Sequence, residues 1–126
     1  MAKISGDITE TFLSETTELV DDVRKDVLSL KAKPDDEKAL TRLLRNVHTI
    51  KGNARMLGYS TIEKLAHAVE DIYKGVKDGQ VKNSERLVRL VFFVADKIAE
   101  CVAAIKKSGS DGQNIDLYLQ YCDKLA

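Results

Sequence analysis

Leu43-Leu44-Arg45-Asn46-Val47-His48-Thr49-Ile50-Lys51-Gly52-Asn53-Ala54-Arg55-Met56-Leu57-Gly58 is the stretch whose reading decides the fold. With Leu40, its apolar residues Leu43, Leu44, Val47, Ile50, Ala54 and Leu57 recur at helical spacing, which predicts a helix with one buried stripe. With Val47 at zero and about 100° per residue, the stripe covers roughly −80° to +60° and His48 falls at about +100°, just outside it. The imidazole is therefore expected to rise from packed side chains into water. The same wheel puts Lys51 at about +40°, Arg55 at about +80°, Gly52 at about +140°, Arg45 at about +160° and Met56 at about 180°. Three cations are expected around the ring, and the residue one turn beyond it has no side chain.

Such a surround suits a group that carries phosphate. Neutral imidazole is nucleophilic near pH 7, and the charge added by phosphate needs cations within about one helical turn. A glycine four residues on leaves room for a second protein to approach the ring. Between Glu37 and Glu63 no residue is acidic, whereas Lys38, Arg42, Arg45, Lys51 and Arg55 are basic. In a chain of zero formal net charge, that local excess is a signal.

His48-Thr49-Ile50-Lys51-Gly52, followed by Met56-Leu57-Gly58-Tyr59, resembles the H-x-x-K-G signature of histidine-phosphotransfer (HPt) domains, above all the amino-terminal phosphotransfer domain of CheA-type chemotaxis kinases. Thr11-Phe12-Leu13-Ser14-Glu15-Thr16-Thr17-Glu18 and Leu65-Ala66-His67-Ala68-Val69-Glu70 are similar too, so the resemblance runs from about residue 7 to residue 79. Family members often carry a small residue at the position of Arg55 and serine or threonine near Asn53.

Composition agrees with a helical protein. The chain has 126 residues, 44% hydrophobic and 32% charged, with one proline and no tryptophan, which is enough for a single domain (1–126) with a real core. Twenty basic and twenty acidic residues cancel, so no global field draws it to nucleic acid. The run Leu90-Val91-Phe92-Phe93-Val94-Ala95 is far short of the roughly 20 residues that span a bilayer, so no membrane insertion is expected. No secretory n-region and h-region precede Asp7. Cys101 and Cys122 suggest no disulfide framework, which fits a reducing cytoplasm.

Periodicity and breakers then give the architecture. A first helix is expected at about 7–31, opened by a capping box from Asp7 to Glu10 and carrying Ile8, Phe12, Leu19, Val23, Val27 and Leu30. Lys33-Pro34-Asp35-Asp36 breaks it and N-caps the second helix, which runs to about Leu57. Gly58 suits a left-handed C′ position, and Ser60 with Glu63 reads as a capping box for a third helix ending near Gly79. A fourth, at about 83–107, starts at Asn83 or Ser84 and should be the most buried; Phe92, Phe93, Cys101 and, further on, Cys122 are expected in or near the core. Ser108-Gly109-Ser110-Asp111-Gly112 reads as a flexible link to a short helix at about 114–124. The fold class is all-α: an antiparallel up-down four-helix bundle (about 7–107) with an additional C-terminal helix.

The short second turn makes helices two and three antiparallel neighbours, so the residues level with His48 lie near positions 67 to 70. His67 and Glu70 stand there. A carboxylate beside the imidazole would accept a hydrogen bond from Nδ1–H and leave the Nε2 lone pair free to attack phosphorus. Position makes Glu70 a candidate, and the resemblance implies that role for it. His67 either bonds near the site or fills space between the two helices. Arg45 and Arg55 are site cations or ordinary surface charges, and Met56 is a partner contact or a scattered surface residue.

No nucleotide-binding glycine loop, zinc cysteine spacing, second nucleophile or oxyanion device accompanies His48, so a complete enzyme is not expected. The expectation is a monomeric carrier. Its His48 accepts phosphate from a histidine kinase catalytic domain and passes it to the receiver domain of a response regulator. Lys51 stabilises the equatorial oxygens, partners dock around Gly52, and ATP and Mg²⁺ come with the partners. Two other classes remain open: a non-phosphorylated adaptor for receivers, and a metal- or ligand-binding bundle. A stand-alone protein and an excised kinase domain read alike.

Overall fold

The computed structural model describes residues 2–125, with side chains from 8 to 124. Five helices follow one another: α1 (Ala2–Ala32), α2 (Glu37–Leu57), α3 (Ser60–Lys77), α4 (Glu85–Ser108) and α5 (Asp116–Leu125), with no strand among the described residues. Helix α1 packs on α2 and α4, and α3 packs on α2 and α4, which closes a four-helix ring; α5 lies against α3 and α4. The all-α bundle with an added terminal helix is therefore as expected.

Local chemistry explains most boundaries. Asp36 accepts the Ala39 amide at 3.1 Å and starts α2; Ser84 accepts that of Leu87 at 3.2 Å and starts α4. Gly58 ends α2 at φ 82°, where the Tyr59 amide returns to the Ala54 carbonyl at 2.8 Å. A left-handed residue is needed there, and glycine adopts it without steric cost.

Some expectations fail. Helix α1 starts well before Asp7, whose side chain lies outside the described residues, so no capping box opens the helix there. Ile8 and Phe93 are about half exposed instead of buried: Ile8 borders an open surface cleft with Met56 and Leu57, and Phe93 faces outward to stack on Tyr118 at 4.6 Å. Phe92 is half-buried, and Cys101 and Cys122 are buried as read. Helix α4 buries ten of its 24 residues, but α3 hides as large a share, eight of 18.

The start of α3 departs furthest. No side chain of the Tyr59-Ser60 segment caps it. Asp111, from the supposedly flexible link, is buried and accepts the Ile62 amide at 3.0 Å. A carboxylate 49 residues away thus does what Ser60 was expected to do, and it suits the positive end of the helix dipole. Just beyond the link, Lys97 bonds Gln113 at 3.1 Å, so the approach to α5 is tied at a second point. A second buried carboxylate, Asp26 on α1, pairs with Arg42 on α2 at 3.0 Å.

Candidate functional site

Helices α2 and α3 bring His48, Lys51 and Glu70 together. Leu43, Val47, Ile50 and Ala54 bury the inner face of α2, which leaves His48 on the rim with its side chain 68% exposed. On α3, Leu65, Ala66, Val69, Ile72 and Tyr73 are buried. Glu70 lies among these positions on the side toward α2 and is only 4% exposed.

Its carboxylate is divided between two partners. Oε2 lies 2.7 Å from His48 Nδ1, and Oε1 accepts from Lys51 Nζ at 2.6 Å. A third group, Lys74 Nζ, stands 3.9 Å from Oε1, one turn along α3. Burial pushes the Glu70 carboxyl upward, but hydrogen bonds from Lys51 and His48, with the charges of Lys51 and Lys74, outweigh it and hold the group below its ordinary value. An ionised carboxylate only accepts, so Nδ1 must carry the proton. The lone pair of the neutral ring then resides on Nε2, which makes no hydrogen bond among the described residues.

An Hpt domain family model matches residues 7–108. The chain belongs to the Hpt domain family. Relatives include the sensor histidine kinase CheAY of Helicobacter pylori, 30% identical over 86% of this chain, and the chemotaxis protein CheA of Halobacterium salinarum, 32% identical over 86%. The Hpt chain spans only 13% and 16% of those two proteins. The solution structure of the histidine phosphotransfer domain of CheA matches 91% of it and 88% of that domain, with TM-score 0.83 at 30% identity. The phosphorylated P1 domain of CheA3 in complex with CheY6 from R. sphaeroides matches 95% and 98%, with TM-score 0.81 at 25% identity.

Around the Hpt site, the other residues singled out from sequence spread apart. His67 is exposed, with Nε2 3.5 Å from Asp71 Oδ2, and no hydrogen bond joins it to His48 among the described residues. Arg55 leans toward Glu63 at 3.8 Å instead of toward the ring. Arg45 is exposed, and no ion pair holds it among the described residues. The expected ring of three cations is therefore one lysine from α2, bound through Glu70, with Lys74 behind it. A helical wheel gives the direction of a Cβ but not the resting place of a long flexible side chain.

Gly52 and Met56 line the exposed side of α2 beyond His48. A Cβ built on Gly52 meets nothing within 4 Å, and Met56 is 80% exposed. Met56 also borders a shallow cleft of 140 Å³ with Ile8, Phe12 and Leu57. Asn53, flagged as unlike the family, donates to Glu15 at 3.3 Å and helps hold α1 to α2. The sequence reading passed over Lys74, although its signal was present: Glu70 and Lys74 have the i,i+4 spacing and order of a helical ion pair. Among the described residues, no three His, Cys, Asp or Glu side chains gather as a metal site would require, and no helix is long and apolar enough to cross a membrane.

Proposed function

We propose that His48 is a phosphoryl carrier in chemotaxis-type two-component signalling, accepting phosphate from an ATP-dependent histidine kinase catalytic domain and passing it to a receiver-domain aspartate. The observation that supports this most is the 2.7 Å contact of His48 Nδ1 with an ionised, buried Glu70, since it presents Nε2 as the nucleophile on an exposed ring. In-line transfer of phosphate through a loose transition state asks the carrier for position and charge compensation more than for covalent chemistry. Glu70 supplies the orientation. Lys51 supplies the nearest cation for the phosphoryl oxygens.

The open space over Gly52 fits the approach of a receiver, and the likeness to the sensor histidine kinase CheAY supports a kinase partner. ATP and Mg²⁺ come with those partners, and the domain works as a cytoplasmic monomer. The decisive experiment is incubation with ATP, Mg²⁺ and a CheA-type catalytic domain. The expected product carries phosphate that is labile in acid, stable in base, absent from His48→Gln, and lost when a receiver is added. No incorporation would favour the adaptor reading, and incorporation retained by His48→Gln would overturn the assignment to His48.

A further inference from the structure

Glu70 must be ionised for the site to work, and it is nearly sealed from water. Burial favours the neutral form of a carboxylate, and here hydrogen bonds and a close cation together keep Glu70 charged. Lys51 does so in the structure, at 2.6 Å. On the reading proposed above, Lys51 must also turn toward the phosphate of the donor while the imidazole is still neutral. At that moment the buried charge of Glu70 would lose its close cation.

We infer that Lys74 is a positioning residue for this site: it takes over Oε1 of Glu70 when Lys51 is drawn to the incoming phosphate, and so keeps His48 in the reactive tautomer. Lys74 is suited to this by place and by reach. It approaches the same oxygen as Lys51, but from α3 itself, and its side chain is 60% exposed, so it closes the remaining gap from 3.9 Å without unpacking anything. During transfer the Nε2 lone pair forms the N–P bond while the bond from phosphorus to the bridging oxygen of ATP breaks, and that oxygen keeps the electron pair on ADP. Nδ1 keeps its proton throughout. The ring then bears a positive charge and pairs with Glu70 itself, so Lys74 is needed only up to that point.

Losing both lysines has a distinct signature. An uncompensated Glu70 takes up a proton, and a neutral carboxyl donates to Nδ1 where the carboxylate accepted from it. The imidazole then moves its own proton to Nε2, the nitrogen that should attack.

The test uses ¹⁵N NMR of the imidazole in the unphosphorylated protein, together with phosphorylation by phosphoramidate followed by ³¹P NMR; that reagent transfers its phosphoryl group to Nε2 and releases ammonia. Lys51→Ala should keep the Nδ1–H tautomer, because Lys74 serves Glu70. Lys51→Ala/Lys74→Met should shift the ring toward Nε2–H and react roughly tenfold more slowly than Lys51→Ala, and Lys51→Ala/Lys74→Arg should recover both. Lys74→Met alone should slow the reaction about twofold, the scale of one partly exposed i,i+4 pair. If the double variant has the tautomer and rate of Lys51→Ala, Lys74 has no such role. Wild type that takes no phosphate on His48 would defeat the carrier reading instead, and the tautomer comparison would still decide on Lys74.

Discussion

Two buried carboxylates meet helix α3, and they are put to opposite uses. Asp111 at its start is bound to the Ile62 backbone amide, and Glu70 in its middle is bound to a lysine and an imidazole. At the α4–α5 end, polar groups satisfy one another within the chain, Asp111 with Ile62 and Lys97 with Gln113, and Phe93 is covered by Tyr118. On the α2–α3 face the same economy stops one atom short, leaving Nε2 unengaged and the space over Gly52 open. A structural charge is held by groups that cannot leave. On the proposed function, the Glu70 charge is held by side chains that can turn away.

Substitutions should separate the two. The largest effect is expected from Glu70→Ala, which should slow phosphorylation on the order of tenfold to a hundredfold through the lost orienting bond. Its stability should change little, because Lys51 and Lys74 can turn to water; a wild-type rate in a phosphotransfer assay would reduce Glu70 to packing. Asp111→Ala should do the reverse. It should cost about 1–2 kcal/mol in urea unfolding, the scale of a lost helix cap beside a buried amide, with phosphorylation per folded molecule unaltered. An equal loss of rate would show that the two carboxylates are not separable.

Gly52→Ala sharpens the contrast by sign. Open space and a helical site predict a gain of roughly 0.5–1 kcal/mol in stability. Transfer to a receiver should nonetheless slow, and a variant both more stable and undiminished in transfer would mean that partners approach elsewhere. A smaller effect separates wild type from Glu70→Gln in acid. Because the Glu70 carboxyl is held below its ordinary 4.5, its contribution to stability is complete above that pH and disappears as pH falls through the lowered folded-state value. The stability difference between the two proteins should therefore be constant near neutrality and shrink only below about 4.5; shrinkage beginning near pH 6 would contradict the ionised carboxylate. Least of all should change at the cysteines. Burial pushes both thiols up to about 11, so alkylation at pH 8 should be negligible until the protein opens, with Cys122 on short α5 reacting before Cys101 in the bundle.

The sequence made these two regions unequally legible. His48 and Glu70 follow from one helical period and one tight turn, both short-range signals that survive folding unchanged. Asp36, Gly58 and Ser84 were readable for the same reason. Asp111 was not, because nothing in its own neighbourhood reveals a partner 49 positions earlier, and the Ser60–Glu63 pattern offered a false local answer. Phe93 misled similarly: an apolar run reads as core until a neighbouring helix is known to supply Tyr118 as an outside partner. The cations around His48 lie between these cases. Their positions on α2 were correct, but the pull of Glu63 on Arg55 and of Glu70 on Lys51 decided where the charges came to rest.

The abrupt reversal at Gly58-Tyr59 has a kinetic consequence. His48 and Glu70 are separated by only 22 positions, nearly all of them helical, so little chain entropy opposes their meeting. The imidazole and its carboxylate are brought level by the registry of a single hairpin, whereas the contacts of α1 with α4 close much longer stretches of chain.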